Sequence, residues 1–295
     1  MIRTAINGFF MALADSVPGV SGGTIALLLG FYDDFIGSIN KVIYSGKDEK
    51  KEGIIYLLKL LSGWAVGMIL AVLALSAFFE KNIYAVSSLF LGFIFPSIFI
   101  IGKDEYPVIK DKWQHTPYVI VGIIAVVLLT FFNGKISAAS LDLSHFSVGS
   151  GAYLFIAGAL AITAMFLPGI SGSTVLLIFG AYLPVISAVK ELLHFNLSVF
   201  PMLVVFGLGI IFGALISVKG IQKSLEKYRA QTVMLIIGML IGSLYAIVMG
   251  PTTIDESNEM LDFSTFNPIF FAIGIALVVL LELVKRNRED NIKAA

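Results

Sequence analysis

The chain of 295 residues contains no cysteine, only three histidines and few charged residues, which make up 14% of it. The absence of cysteine excludes disulfides, thiolate nucleophiles and thiolate-bound metals. The low charged fraction excludes an ordinary soluble domain, in which about 25% of residues are charged and about 45–50% are apolar. Because 20 basic residues balance 20 acidic ones, the composition gives no indication of a nucleic-acid partner.

The sequence is instead rich in apolar residues, which form 58% of the chain and give a mean hydropathy of +0.93. Crossing a bilayer takes roughly 20 apolar residues. Six uninterrupted apolar runs approach or reach that length, at 54–79, 83–102, 118–133, 198–218, 232–250 and 267–285. Two further apolar stretches, 4–43 and 150–190, are interrupted in the middle by Pro, Gly and Ser. The sequence therefore predicts an all-α polytopic membrane protein.

The two interruptions repeat each other. Residues 18–24 read Pro-Gly-Val-Ser-Gly-Gly-Thr and residues 168–174 read Pro-Gly-Ile-Ser-Gly-Ser-Thr, an offset of 150. In this register, residues 6–36 have twelve identities in 31 positions with their counterparts. The sequence thus predicts an internal duplication, with repeat one in residues 1–148 and repeat two in residues 149–295. Each repeat consists of one interrupted segment followed by three spans.

The distribution of basic residues predicts how the repeats are oriented. Cytoplasmic loops collect Lys and Arg, which here cluster in 41–51, 103–112, 219–229 and the C-terminal tail. With Arg3 and Lys59 also inside, 17 basic residues lie in the cytoplasm and three outside. This count requires each interrupted segment to enter and leave on the same side. We therefore expect inverted repeats, each a re-entrant helical hairpin plus three transmembrane helices, with both termini cytoplasmic.

In this arrangement the first hairpin enters from the cytoplasm and the second from the exterior. The same parity holds if both arms of each interrupted segment cross the membrane fully, which gives ten spans with tight bends. The sequence does not separate these two arrangements. The first arm of the second segment, at about 150–167, is nearly long enough to cross.

The repeated motif predicts a break between two helices. Proline lacks a backbone donor and glycine tolerates unusual dihedrals, so both stop a helix. These predicted breaks lie at Pro18, Gly19, Pro168 and Gly169. A helix N-terminus that follows presents free N–H groups and the positive end of the helix dipole, which favour an anion. The alternative is that the motif only kinks helices for packing. The predicted anion-binding residues are Ser21, Gly22, Gly23, Thr24, Ser171, Gly172, Ser173 and Thr174.

Both copies of the motif resemble the signatures of a known family. Residues 14–24 read Ala-Asp-Ser-Val-Pro-Gly-Val-Ser-Gly-Gly-Thr, followed by Leu-Gly-Phe-Tyr at 29–32, and residues 164–174 read Ala-Met-Phe-Leu-Pro-Gly-Ile-Ser-Gly-Ser-Thr. Together with the order of spans, they resemble the bacterial polyprenyl-phosphate (undecaprenyl-phosphate) transporter family, once known only as a domain of unknown function. The resemblance extends over nearly the whole chain.

That resemblance implies a function. Members of the family are associated with returning undecaprenyl phosphate from the outer to the inner leaflet of the bacterial cytoplasmic membrane, for reuse in cell-wall synthesis. It implies that the bound anion is the phosphate of a polyprenyl phosphate lipid and that the other partners are membrane lipids. No cofactor and no metal ion is expected, and the sequence does not indicate an oligomeric state.

Four further residues are candidates for the site. Asp15 is an acidic residue in an otherwise apolar arm, where such residues are usually functional. It is a candidate proton carrier or cation partner. Moving an anion inward against an inside-negative potential costs about 2.3 kcal/mol per charge per 100 mV, and proton coupling through Asp15 could offset this cost. The alternative role is capping of neighbouring backbone. Tyr32, Tyr182 and Arg3 are candidates for lining the cavity, with interfacial anchoring and snorkelling as the alternatives.

The sequence therefore favours a polyprenyl-phosphate translocase. The alternative within transport is a carrier or channel for a small soluble anion, which would use the same helix ends. A membrane enzyme acting on prenyl phosphates is disfavoured, since the sequence offers no nucleophile, acid/base pair or metal cluster. A purely structural role would leave a duplicated anion site without a use.

Overall fold

A computed structural model of the chain describes residues 2–15, 21–70, 82–135, 148–193, 195–254 and 258–294. Within these ranges the protein is helical and contains no β-strand. The first half contributes α1 (Ile2–Asp15), α2 (Gly22–Leu28), α3 (Tyr32–Tyr44), α4 (Lys47–Leu70), α5 (Ile83–Asp104) and α6 (Pro117–Lys135). The second half contributes α7 (Val148–Phe166), α8 (Gly172–Ile178), α9 (Tyr182–Leu193), α10 (Phe200–Lys227), α11 (Arg229–Ile254) and α12 (Pro268–Ala294). Three short helical turns, Tyr106–Ile109, Trp113–His115 and Leu197–Val199, connect some of these helices.

Six of the described helices are long and apolar enough to cross a membrane, namely α4, α5, α6, α7, α10 and α11. The prediction of an all-helical polytopic membrane protein is therefore confirmed. The apolar part of α12 is shorter, at Pro268–Leu280. Hence five of the six uninterrupted runs are among the six spans, and the remaining span is α7, the first arm of the second interrupted segment.

The first arms of the two interrupted segments differ in length. α1 has 14 residues and extends about 21 Å at about 1.5 Å per residue, less than the roughly 30 Å hydrocarbon core of a bilayer. α7 has 19 residues and is long enough to cross. A fully crossing first arm, the alternative left open by the sequence, is thus compatible with α7 but not with α1 alone.

Two helices extend beyond the apolar runs that predicted them. α4 begins at Lys47, seven residues before the predicted start at 54, since Asp48 and Glu49 in its first turn suit a helix N-terminus. α10 continues to Lys227, nine residues past the predicted end at 218, because its polar last turns are helix-forming in water. The predicted end of the first run, at 79, lies outside the described residues.

Glycines bring the first arms close to neighbouring helices. A Cβ at Gly63 would overlap the carbonyl of Ala5, and one at Gly67 would approach Phe9, so α4 runs parallel to α1 in direct backbone contact. α7 and α10 pack in the same way, with Gly209 and Gly213 against the carbonyls of Phe155 and Ala159. Small residues at such contacts allow the close approach of membrane helices.

α5 and α11 contact each other in the centre of the bundle. α5 also packs against α12, the last helix of the second half, and α11 packs against α6, the last helix of the first half. Under the 150-residue offset α5 corresponds to α11 and α6 to α12, so the two packed pairs are equivalent. The α11 span is 61% buried and the α6 span is 11% buried. α11 is therefore an inner helix, and the exposed apolar residues of α6 face lipid.

Two glycines on α10 provide a matched test of this packing. Gly213→Ala places a methyl group on the carbonyl of Ala159, so we expect the α7–α10 contact to open and unfolding to become easier by about 1–3 kcal/mol or more. The measurement is thermal unfolding of the purified protein in detergent. Gly207→Ala, which meets no atom within 4 Å, is the control and should be neutral or slightly stabilising. Equal unfolding temperatures for the two variants would contradict this packing.

Candidate functional site

Each interrupted segment contains three helices: α1, α2 and α3 in the first, and α7, α8 and α9 in the second. α1 ends at Asp15 and α2 begins at Gly22, whereas α7 ends at Phe166 and α8 begins at Gly172. We call the α1–α2 unit hairpin one and the α7–α8 unit hairpin two. In the break of hairpin two, Gly169 has a φ of +86°, a conformation that strains residues with a side chain. Its neighbour Pro168 is fully buried. The predicted break residues Pro18 and Gly19 lie outside the described residues.

The start of α2 in hairpin one contacts the break of hairpin two. The Gly169 N–H donates to Thr24 Oγ1 at 2.7 Å, and Ser21 Oγ donates to the carbonyl of Leu167 at 3.5 Å. The Tyr32 hydroxyl donates to the carbonyl of Phe166 at 2.8 Å. Side chains of the first half thus bond the backbone that the break in hairpin two leaves without helical partners. Residues that are about 150 positions apart form one site.

A carboxylate occupies the start of α2 in hairpin one. Ser21 is the N-cap and accepts the Gly23 N–H at 3.2 Å. The Gly22 N–H donates to Asp15 Oδ1 at 2.8 Å, and Trp64 Nε1 donates to Asp15 Oδ2 at 3.0 Å. Asp15 therefore caps the backbone of Gly22 in this structure, which is the alternative role that the sequence analysis gave it. Its carboxyl group lies where an external anion was expected.

Trp64 was not among the residues predicted from the sequence. The signal was present, because Trp64 lies in an apolar run between Gly63 and Gly67, the two glycines that face α1. A buried indole N–H usually has a hydrogen-bond partner. What the sequence did not show was that the partner of Trp64 is Asp15.

Hairpin two has different chemistry at the same positions. Met165 occupies the position equivalent to Asp15 under the 150-residue offset. Ser171 Oγ and Ser173 Oγ are 2.8 Å apart and bond each other. Gly172, Ser173 and Thr174 are half-buried, whereas the corresponding residues 22–24 are buried. The second motif is therefore the more accessible of the two.

A cavity of about 240 Å³ lies beside hairpin one. Tyr32 and Asp33 line it at the start of α3, and Asp104, Glu105 and Arg229 line it at the ends of α5 and α11. Apolar residues of α2, α5, α10 and α11 form the remaining wall. Two hydrogen bonds, at 2.5 and 3.1 Å, join the Arg229 guanidinium to the Glu105 carboxylate, so an ion pair bridges the ends of α5 and α11 at this cavity.

The three residues predicted to line a cavity lie in different surroundings. Tyr32 is 3% exposed and lines the cavity. Tyr182, its counterpart in the second half, is half-buried and has no hydrogen-bond partner among the described residues. Arg3 is exposed near the start of α1. The structure thus brings Tyr32 to the site, and neither Tyr182 nor Arg3 lines this cavity.

The donors around the two breaks are backbone amides and serine, threonine and tyrosine hydroxyls in apolar surroundings. Donors of this kind can form hydrogen bonds with an anion. Within the described ranges, no group of three or more His, Asp or Glu residues is placed to hold a metal ion.

Comparisons with known proteins give one family. The family described as undecaprenyl phosphate translocase-like matches residues 11–285. A polyprenyl-phosphate transporter of Staphylococcus aureus is 36% identical over 257 residues, which cover 84% of this chain and 87% of that protein. A polyprenyl-phosphate transporter of Vibrio cholerae is 30% identical over 253 residues, which cover 82% of this chain and 76% of that protein. No solved structure matches the chain.

The hydrogen bond from the Gly169 N–H to Thr24 predicts that substitutions at Thr24 and at its equivalent Thr174 change stability by different amounts. Thr24→Val keeps the shape of the side chain but leaves the buried Gly169 N–H without its acceptor, so we expect a loss of about 1–3 kcal/mol in unfolding free energy. Thr174→Val, at the equivalent position, removes a half-buried hydroxyl and should cost less. The measurement is thermal unfolding of both variants in the same detergent. A Thr174→Val variant as unstable as Thr24→Val would contradict the contact described here.

Proposed function

The chain belongs to the undecaprenyl phosphate translocase-like family, and from this membership we propose that it carries undecaprenyl phosphate across the bacterial cytoplasmic membrane. The lipid carrier would thereby return to the inner leaflet for cell-wall polymer synthesis. The observation that carries this proposal is the match to polyprenyl-phosphate transporters over most of their length and of this chain. The proposed function is transport, and the proposal includes no catalytic role.

The proposed phosphate site is the junction of the two hairpins. A bare phosphate in hydrocarbon would cost tens of kcal/mol on an idealised basis, so the headgroup needs a path lined by donors. Gly172, Ser173 and Thr174 are the half-buried donors of this junction, and the buried Ser171 joins them through its hydrogen bond with Ser173. In hairpin one the equivalent residues are buried, so they would take part only after the hairpin opens.

The isoprenoid tail is proposed to stay in lipid while the headgroup moves. The outer faces of α4, α6 and α10 carry many exposed large apolar side chains, which suit contact with lipid chains. The cavity beside Tyr32 is not part of the proposed phosphate site, because three acids line it and its arginine, Arg229, is already paired with Glu105.

The inverted orientation of the two repeats, 1–148 and 149–295, is part of the proposal. The exchange of packing partners between the halves, α5 with α12 and α6 with α11, supports it. With the basic segments inside, both termini would be cytoplasmic. Inverted repeats commonly give alternating access by movement of one unit against the other around a fixed central site.

A carrier or channel for a small soluble anion is the alternative that shares the same donors. Competition by inorganic phosphate separates the two, because a site that recognises the lipid should be insensitive to free phosphate. The family assignment favours the lipid.

The transport proposal predicts that flipping depends on the second motif. In liposomes, we expect the protein to accelerate the leaflet exchange of a short-chain fluorescent polyprenyl phosphate. Ser171→Ala/Ser173→Ala should slow exchange about tenfold or more, because a hydrogen bond to a charged group contributes about 1.5–3 kcal/mol. Ser62→Ala, an exposed serine on α4, is the matched control and should exchange at the unchanged rate.

Two results would contradict the lipid assignment. The first is that liposomes containing the folded protein, under an imposed gradient, exchange the lipid no faster than liposomes without protein. The second is exchange that millimolar inorganic phosphate suppresses, which would indicate the small-anion carrier.

We also propose that Asp15 couples transport to protons. Inward movement of an anion opposes an inside-negative potential, and a proton moving with it offsets the charge. Asp15→Asn keeps the shape of the side chain but cannot titrate, so its exchange rate should no longer respond to an imposed pH gradient. Glu52→Gln, an exposed acid on α4, should retain the response of the unmodified protein. An Asp15→Asn variant that responds fully to every gradient would refute the coupling.

A further inference from the structure

Trp64 and Asp15 form a polar pair in an apolar part of the bundle. Trp64 is held close to α1 because its neighbours Gly63 and Gly67 lie directly against that helix. Each carboxylate oxygen of Asp15 receives one N–H, from the Gly22 amide at 2.8 Å and from the Trp64 indole at 3.0 Å. The indole is thus the one side-chain donor that the structure gives to this carboxylate among the described residues.

The pair occurs only in the first half of the chain. Under the 150-residue offset, the counterparts of Asp15 and Trp64 are Met165 and Ala214, both apolar. The second half therefore builds the same hairpin and the same contact between its first arm and the following helix without this hydrogen bond. Because packing alone does not require the pair, its presence in repeat one needs another explanation.

The surroundings of the carboxylate make its charge dependent on its donors. The groups that face it are uncharged in the described structure: the Gly22 amide from α2 and the Trp64 indole from α4, with Met11 one turn earlier on α1. An ionised carboxylate away from water is costly unless hydrogen bonds replace its hydration. Hydrogen bonds to the charged form favour that form, so both donors stabilise Asp15 without its proton.

We propose that Trp64 is a positioning residue for Asp15: its Nε1–H holds the ionised carboxylate against the Gly22 N–H and releases it when the carboxyl group takes up a proton. The proton comes from water and adds to one carboxylate oxygen, which becomes a hydroxyl and no longer matches an N–H donor. Uptake of the proton thus weakens the hold of Asp15 on the start of α2. This inference rests on the proposed proton coupling of transport and names the residue that controls it.

Trp64 itself provides a readout that does not depend on transport. The chain has two tryptophans, and the other, Trp113, is 83% exposed in a short helical turn. In a Trp113→Phe background, all indole emission therefore comes from Trp64. We expect that emission to titrate with pH in detergent, without any lipid substrate. Adding Asp15→Asn should abolish the titration.

Transport gives the second readout. Trp64→Phe keeps an aromatic ring for packing and removes the N–H, so the ionised carboxylate loses one of its two donors. The carboxyl group then keeps its proton to higher pH, and the pH profile of lipid exchange should move upward by about one pH unit. Trp113→Phe is the matched control and should leave the profile in place. Asp15→Asn/Trp64→Phe should behave as Asp15→Asn alone.

Specific outcomes would overturn the inference. Trp64 emission that is independent of pH, or that still titrates after Asp15→Asn, shows that the indole does not sense this carboxyl group. A Trp64→Phe variant that is slower at every pH with an unmoved profile has lost packing only. Intact titration in a protein that exchanges no lipid would refute the proposed transport function and leave the pairing of Trp64 with Asp15 standing.

Discussion

A helix that breaks inside a membrane leaves backbone N–H and C=O groups without partners, and lipid supplies none. In this protein the start of α2 faces the break of hairpin two, and side chains of the first half satisfy the backbone of the second. Thr24 accepts the Gly169 N–H, and Tyr32 donates to the Phe166 carbonyl. The glycine contacts of α4 with α1 and of α10 with α7 hold the first arms in place. Neither half alone makes these bonds, so each half of the chain depends on the other at this junction.

The two hairpins share a backbone plan but differ in how their second helices begin. In hairpin one the Asp15 carboxylate accepts the Gly22 N–H, so the charge that favours the helix start is part of the protein. In hairpin two the equivalent position is Met165, and the nearby hydroxyls of Ser171 and Ser173 bond each other. An anion approaching the junction therefore competes with a carboxylate on one side and only with a hydroxyl pair on the other. The two motifs do not attract it equally in this conformation.

The sequence predicted the break of hairpin two and most spans because their signals are local. Proline next to glycine favours the end of a helix, and a run of about 20 apolar residues indicates a span. The Asp15–Trp64 and Glu105–Arg229 pairs join residues 49 and 124 positions apart, so they depend on which helix faces meet. The end of α10 was also missed, since hydropathy detects lipid contact and not the polar turns that continue into water.

The repeat predicted equal roles for Tyr32 and Tyr182, yet one is buried and bonded while the other is half-buried and unbonded among the described residues. A duplicated sequence specifies equivalent positions, but it does not specify which residue of each pair forms hydrogen bonds in a given conformation. If inverted repeats exchange conformations during transport, the bonds of Thr24 and Tyr32 in one state are replaced by those of Thr174 and Tyr182 in the other. Such replacement keeps the free energies of the two states close, and a transporter needs this because both states must be populated in every cycle. Asp15 and Trp64 have no polar counterparts, so under the proposed proton coupling they would favour one state over the other by an amount that protonation changes.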